Sequence, residues 1–289
     1  MNTNKKNINP YLPKPLIIEK ISIENENKDL KTFKLVFIDH GDREGFTYKC
    51  GQFAMVSVPH TGEIPVGIAS SPLDEGYLEF TVKKYPTGSV TSALHNLEEG
   101  ARIGVRGPYG NYYPLKESEG KNILIVSGGF AFTTLRSTIR YILHNQNRQL
   151  FKNITVLYGA RSPGELLYKS ELKEWDERDD IDLHVTVDKG DNNWQGREGF
   201  VPAVLKEIAP ASDNAVALVC GPPIMLKFTL PVISDLGFDD DSIITSLERR
   251  MSCGIGKCGR CNIGSHYICK DGPVFTLREI KSMQEEIFS

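Results

Sequence analysis

Four cysteines close together in the sequence constrain this chain more than any other feature. They are Cys253, Cys258, Cys261 and Cys269, spaced C-x4-C-x2-C-x7-C. The first three follow the C-x4-C-x2-C spacing of plant-type 2Fe–2S sites, in which two sulfide-bridged irons need four thiolates, two per iron. A loop brings close cysteines onto one cluster only if its backbone turns sharply. Gly254, Gly256 and Gly259 lie between the first three and permit φ > 0. Their amides can then point at the sulfurs, and such hydrogen bonds tune a reduction potential. The same residues could hold a structural zinc ion or form a disulfide clamp. Zinc ribbons usually carry two C-x2-C pairs separated by a longer loop. Here a single C-x2-C pair follows a C-x4 arm, so the spacing favours a cluster, which moves one electron at a time.

Composition sets the limits. A length of 289 residues is enough for two domains with their own cores. The 40% hydrophobic and 25% charged content is that of an ordinary soluble protein. A net charge of −3 gives no footprint for nucleic acid, so none is expected as a partner. No apolar run approaches the ~20 residues of a membrane span. Residues 1–9 are polar and lack an apolar segment, so no secretory signal is expected. Six cysteines in such a chain argue for reduced thiols and metal binding rather than disulfides, and for a cytoplasmic location.

Residues 1–15 read as a polar N-terminal arm. From 16 to 114 the pattern is β, with strands expected at 16–23, 32–38, 52–58, 77–82 and 102–106, rich in Val, Ile and Phe and parted by turn residues. Short strands at this spacing predict a small antiparallel β-barrel, interrupted by one helix at 89–97. From 121 to 248 the pattern alternates. Nearly continuous apolar strands at 123–127, 154–158, 183–187, 216–220 and 243–246 fit a parallel sheet covered on both faces. Helices are expected at 133–145, 166–175, 201–208 and 224–236, the second opened by a capping box at Ser162-Pro163-Gly164-Glu165. This half predicts a doubly wound α/β dinucleotide domain. Residues 249–289 then form the cysteine module and a short helical tail.

Several nucleotide signals lie at strand ends. Gly128 and Gly129 follow the first α/β strand, where a glycine turn lets a pyrophosphate approach a helix N-terminus. Glycines also often serve only the turn. Cys220-Gly221-Pro222 ends the fourth strand, at the edge where open α/β sheets bind ligands, although a buried Cys acting as a small hydrophobe is the commoner case. Gly159 and Arg161 end the second strand, where a dinucleotide ribose usually lies; Arg161 could meet a phosphate or simply be a solvated surface Arg. In the barrel, Gly88-Ser89-Val90-Thr91 opens a helix whose free amides could hold a phosphate, or which Ser89 merely caps.

The order of barrel, dinucleotide domain and cysteine module resembles the ferredoxin-NADP reductase superfamily over nearly the whole chain. More narrowly it resembles three electron-transfer subunits: the gamma subunit of NiFe hydrogenases (sulfhydrogenases), the B subunit of anaerobic sulfite reductase and the electron-transfer subunit of dihydroorotate dehydrogenase. The most specific stretch is Leu247-Glu248-Arg249-Arg250-Met251-Ser252-Cys253, continuing through Cys258, Cys261 and Cys269 to Gly272-Pro273-Val274-Phe275. The Glu-Arg-Arg-Met run, the Gly221-Pro222-Pro223-Ile224-Met225 run and Leu167-Tyr168-Lys169 point to the hydrogenase and sulfite reductase branch.

The resemblance implies FAD against the barrel, NAD(P)H against the second domain and a 2Fe–2S cluster on the four cysteines. The superfamily's Arg-x-Tyr-Ser flavin motif falls at Ile64-Pro65-Val66-Gly67, before Ile68-Ala69-Ser70, without its Arg, Tyr or Ser. Pro65, Val66, Gly67, Ile68 and Ser70 are the implied flavin contacts, with Val82, Lys83, Gly88, Ser89, Val90 and Thr91. Lys83 is the cation left for the flavin phosphates. Gly128, Gly129, Gly159, Arg161, Cys220, Gly221 and Pro222 are the implied nicotinamide contacts. The family's Gly-Gly-x-Gly-x-Ala-Pro becomes Gly128-Gly129-Phe130-Ala131-Phe132-Thr133-Thr134 here, with an extra methyl at Ala131.

The expected function is an NAD(P)H-dependent flavin iron–sulfur (diaphorase) subunit. It would pass electrons between NAD(P)H, FAD and the cluster to a catalytic oxidoreductase in a hetero-oligomer, with other iron–sulfur subunits as candidate neighbours. No catalytic side chain is required. One alternative is a flavin and iron–sulfur relay and docking module without pyridine-nucleotide activity. Another is a zinc-bearing assembly factor.

Overall fold

The structure is a computed structural model that describes residues 9–283. Residues 1–8 of the expected arm and 284–289 of the expected tail lie outside the described residues.

The first half is a six-stranded antiparallel sheet of β1 (Lys14–Ile23), β2 (Leu30–Phe37), β3 (Phe53–Val58), β4 (Gly62–Gly67), β5 (Tyr77–Lys83) and β6 (Arg102–Tyr109), in the order β4-β3-β6-β1-β2-β5. Just past β4, Ala69 N–H donates to the Glu79 carbonyl of β5 at 2.9 Å, which closes the sheet into a barrel. Inward-facing Leu16, Ile18, Phe33, Leu35, Val56, Phe80 and Val105 fill it. The short helices α1 (His40–Glu44) and α2 (Ser89–His95) lie in its connections. β4 is absent from the sequence expectation because Gly62, Pro65 and Gly67 hide it. It forms as an edge strand paired only to β3, where a proline costs no ladder bond.

The second half is a seven-stranded sheet in which six strands run parallel. Its strands and helices are β7 (Asn122–Gly128), α3 (Phe132–Leu143), β8 (Ile154–Ala160), α4 (Lys169–Asp176), β9 (Asp182–Val187), β10 (Arg197–Glu198), α5 (Val201–Ile208), β11 (Ala215–Cys220), α6 (Pro223–Asp235) and β12 (Ile243–Ser246). After β12 come the ribbon β13 (Asn262–Ile263) with β14 (His266–Tyr267), α7 (Ile268–Asp271), β15 (Val274–Thr276) and α8 (Leu277–Ser282). The order β10-β9-β8-β7-β11-β12-β15 reverses direction between β7 and β11, the switch point of a doubly wound sheet. β15 pairs antiparallel to β12, so the segment after the cysteines returns to complete the sheet.

The capping box expected at Ser162 does not form. Residues 163–165 make one 3-10 turn, Ser162 makes no side-chain cap bond, and α4 begins only at Lys169 after Tyr168 at φ 51°. Tertiary contacts override the local signal. Tyr168 is buried with its hydroxyl against Thr81 of β5 and its ring 4.4 Å from the Arg136 guanidinium. A true capping box sits instead at Thr276 and Glu279, opening α8.

Arg136 on α3 joins the two halves. It is buried, and it donates to Glu79 of β5 (2.6 Å), to the Ala69 carbonyl (3.1 Å) and to Glu171 of α4 (2.7 Å). Arg140, one turn on, reaches Asp74 at 2.9 Å. Removing one member of a buried ion pair leaves an uncompensated charge and costs about 3–5 kcal/mol. Arg136→Met is therefore expected to lower stability in urea unfolding by about 3 kcal/mol. Adding Glu79→Gln and Glu171→Gln should recover most of that loss; if the single and triple variants unfold alike, the network does not hold the halves together.

Candidate functional site

A cavity of about 340 Å³ opens where the barrel, the α/β half and the segment before the cysteines meet. Ile64, Pro65, Val66 and Gly67 of β4 and Thr81, Val82 and Lys83 of β5 form one wall. Phe130, Thr133 and Thr134, at the turn into α3, form the second. Ser246, Leu247, Glu248, Arg249 and Met251 form the third. The volume falls within the range of small-molecule sites, and the lining is mostly apolar with a few hydroxyls and charges.

The structure sorts the residues expected from sequence. Pro65, Val66, Gly67, Val82, Lys83 and Thr91 line the cavity. Ile68 and Ser70 do not. Ile68 is in the barrel core, and the Ser70 hydroxyl is engaged by the Tyr48 hydroxyl (2.8 Å) and the Glu79 amide (3.0 Å). Gly88, Ser89 and Val90 also lie outside the lining. Gly88, not Ser89, is the N-cap of α2, and the Thr91 hydroxyl is spent within the turn, donating to the Gly88 carbonyl at 3.1 Å. Lys83 faces Asp29 at 3.7 Å, both partly exposed. The third wall is the part that residue-by-residue reading missed. Its sequence signal is the Leu247–Met251 run, which local pattern places only as the lead-in to the cysteines. Glu248 meets solvent through the cavity, and enclosure by the protein raises its carboxyl above the ordinary range.

The dinucleotide-side residues flank the switch point. Gly128 ends β7 and Cys220 ends β11, and the Ser127 hydroxyl donates to the Cys220 carbonyl at 2.9 Å. Gly129 turns with φ 55° into open space, as a close-approach glycine does. Gly128 and Gly221 admit Met225: a Cβ at either would lie 2.4 Å or 2.1 Å from its side chain. Gly159 admits Val201 of α5 in the same way. These three glycines serve close helix–strand packing. Pro222 is exposed and Cys220 is buried beside Thr134; burial pushes its thiol up, with Glu248 adding to the shift. Arg161 is exposed near Asp188, whose carboxyl is raised by burial and partly offset by that guanidinium. The extra methyl of Ala131 is buried in the core, next to Phe132 stacked 3.9 Å from Tyr158.

The cysteine loop has the turns its glycines predict. Gly254, Gly256 and Gly259 adopt φ of 74°, 71° and 73°. Cys253 Sγ then accepts from the amides of Ile255 (3.5 Å), Lys257 (3.3 Å) and Cys258 (3.4 Å), and Cys269 Sγ from Gly256 (3.1 Å). Burial pushes the Cys253 thiol up, but these amides outweigh it and bring it down to about 6. Cys269 is pushed up to about 12, by burial first and then by Cys261. Among the described residues no three His, Cys, Asp or Glu side chains converge on a site for one metal ion.

Two residues of the barrel bind this loop. Buried Arg106 donates to the Cys253 carbonyl (2.7 Å) while its other nitrogens hold Glu63. Asn111 bridges to β15, donating to the Val274 carbonyl at 2.6 Å and accepting from the Val274 amide at 2.8 Å. Phe53 and Leu247 line the cavity and also pack in one apolar cluster with Cys261 and Cys269.

Known proteins share this arrangement. The oxidoreductase FAD-binding domain family matches residues 18–113, and the oxidoreductase NAD-binding domain family matches residues 125–230. The iron–sulfur cluster binding domain of dihydroorotate dehydrogenase B matches residues 248–281. Sulfhydrogenase 1 subunit gamma of Pyrococcus furiosus is 38% identical, over 96% of this chain and 94% of its own length. A probable dihydroorotate dehydrogenase B (NAD(+)) electron transfer subunit of Thermococcus kodakarensis is 34% identical, over 86% of this chain and 90% of its own. A solved chain of the NADH-dependent reduced ferredoxin-NADP oxidoreductase superposes with a TM-score of 0.71 at 27% identity, over 93% of this chain and 89% of that one.

Asn111→Ala removes both side-chain bonds to Val274 and leaves that backbone pair to find water. A loss of about 1–2 kcal/mol is expected, confined to the end of the cysteine segment. Amide hydrogen exchange at Val274 should speed up about tenfold while exchange in β7 and β11 stays unchanged. Equal acceleration in both places would contradict a local tether.

Proposed function

Because this chain belongs to the FAD- and NAD-binding oxidoreductases of the ferredoxin-reductase superfamily, in the group with a C-terminal iron–sulfur domain, we propose that it is the electron-transfer subunit of a larger complex. It links NAD(P)H, FAD and a 2Fe–2S cluster to a catalytic oxidoreductase subunit. The observation that carries this reading is the shared cavity. One pocket touches the barrel, the dinucleotide turn at Phe130 and the segment that runs into Cys253.

In this reading residues 16–114 hold FAD, 121–248 hold the pyridine nucleotide and 249–289 carry the cluster. A bound flavin supplies the exchange between two-electron hydride chemistry and single-electron transfer. The chain's own residues do the rest. Pro65, Val66, Gly67 and Val82 offer flat apolar and backbone surface for a ring, and Lys83 and Arg249 offer cations for its phosphates. Phe53, Phe130 and Leu247 keep water out of the cavity. Gly129 offers an open turn for a pyrophosphate, and Arg161 and Pro222 border the same sheet edge. No side chain need move a proton for hydride transfer, so alignment is the protein's contribution.

The cysteine spacing supports a two-iron cluster as the type. One tetrahedral zinc would draw all four sulfurs to one point. The C-x4-C-x2-C spacing and the positive-φ glycines that turn amides onto Cys253 and Cys269 suit a two-iron cluster. Cys253, Cys258, Cys261 and Cys269 are the proposed ligands. The relatives' names point to the partner: a hydrogenase catalytic subunit first, a dihydroorotate dehydrogenase second. No helix among the described residues is long and apolar enough to cross a membrane, and reduced thiols suit the cytoplasm. The altered glycine turn, with Ala131 in place of the family's glycine, is on the side of a relay without pyridine nucleotide, as is Met225 packed against Gly128 and Gly221.

Stopped-flow mixing with NADH and with NADPH separates these readings. Bleaching of the flavin band by at least one nucleotide, at a rate on the order of 1–10³ s⁻¹, is expected; no bleaching by either leaves only the relay. Cys261→Ser should keep that bleaching but lose the rhombic paramagnetic signal of the reduced cluster. A colourless, zinc-loaded wild-type chain would overturn the assignment.

A further inference from the structure

The cysteine loop carries an unbalanced charge. From Arg249 to Lys270 the sequence holds five Lys and Arg and no Asp or Glu, although the whole chain is net −3. Three of these cations are chain neighbours of the cysteines. Lys257 precedes Cys258, Arg260 precedes Cys261 and Lys270 follows Cys269. All three are exposed, and none has an ion-pair partner among the described residues. The Lys270 stem lies across Gly256, the residue before Lys257, its Cδ 2.9 Å from where a Cβ there would be. Five arginines elsewhere, Arg106, Arg136, Arg140, Arg148 and Arg178, face carboxylates.

Apolar surface borders these cations. Tyr11 and Leu12 are 50% and 71% exposed. The Tyr11 ring lies 5.9 Å from Lys257 Nζ and 6.0 Å from the Arg106 guanidinium carbon. The segment is held there by the Tyr109 hydroxyl donating to the Pro10 carbonyl at 2.9 Å. Cys258 is exposed, so the proposed cluster reaches the surface on this side. Clustered like charges repel one another, and they become favourable when a second surface brings the opposite sign. An exposed aromatic within a charged rim is the usual anchor of such an interface.

We propose that Lys257, Arg260 and Lys270, with Tyr11 and Leu12 at their edge, form the docking surface for the acidic face of a one-electron partner protein. The proposal rests on the electron-transfer reading above and adds to it the place and the charge of the contact. A group of three exposed cations beside the cysteines suits a carboxylate patch. A nucleic acid would meet the repulsion of a net acidic chain beyond them.

The test uses the full chain and three immobilised probes: an acidic plant-type ferredoxin, a basic c-type cytochrome and a random-sequence duplex oligonucleotide. Binding to the ferredoxin is expected at about 50 mM salt and should weaken about tenfold or more at about 500 mM. Arg260→Glu/Lys270→Glu should weaken it about tenfold at the lower salt and bind the basic cytochrome more tightly than the wild-type chain does. The proposal is overturned if the ferredoxin does not bind, if its binding ignores salt, if the double variant binds it like wild type, or if the duplex binds as tightly. Should the double variant not fold, the salt dependence and the probe comparison on wild type still decide. Flavin bleaching by NADH or NADPH, measured on the same wild-type sample, reports on the electron-transfer reading separately, because none of the binding measurements needs a nucleotide.

Discussion

One buried guanidinium fixes where the cysteine loop sits. Arg106 is 3% exposed, and its nitrogens divide between the Glu63 carboxylate and the Cys253 carbonyl. A buried cation demands partners, since an unpaired one costs far more than a neutral group. The loop carbonyl is one of those partners. The cysteine segment is thereby tied to the barrel as well as to the sheet it extends through β15. The cavity needs that double attachment, because its third wall is the stretch just before Cys253.

Arg136 performs the matching task on the other side, joining α3 and α4 to β5. Two interfaces of this kind, together with the apolar clusters that join the halves, define one cavity. Ionic interfaces of this type specify orientation more than they add stability. For a protein that must align one ring with another, orientation is the quantity that matters, since small displacements of reacting atoms are costly in rate.

Much of this was legible in the sequence, and the exceptions have a common cause. The cysteine spacing, the glycine turns and the five long parallel strands are local signals, and each appears where its pattern puts it. β4 was hidden because Pro65 and two glycines carry no strand propensity; its existence depends on β3 supplying a partner. The Ser162 capping box failed because Tyr168 is held by Thr81 and Arg136, residues 87 and 32 positions away along the chain. Ser70 reads as a flavin contact by motif position, but Tyr48 and Glu79 occupy its hydroxyl. The Leu247–Met251 wall could not be read as a wall without knowing that the chain returns to the barrel. Non-local pairing decides these cases, and a single sequence carries no direct record of it.

The packing also gives the loop an inside and an outside. Cys261 and Cys269 are buried with Phe53 and Leu247, which themselves line the cavity. Cys258 is exposed and Cys253 is half-buried, on the side that bears Lys257 and Tyr11. Cys261 and Cys269 therefore lie on the apolar side toward the cavity, and Cys258 faces the surface. The four sulfurs differ accordingly. Three amides favour the anionic form of Cys253, whereas burial disfavours it at Cys269. The two sides of the loop are therefore chemically distinct, and the exposed side is the one that bears the unmatched cations. The polarity is set by loop packing and does not depend on which way electrons flow, because that follows from the relative potentials of donor and acceptor.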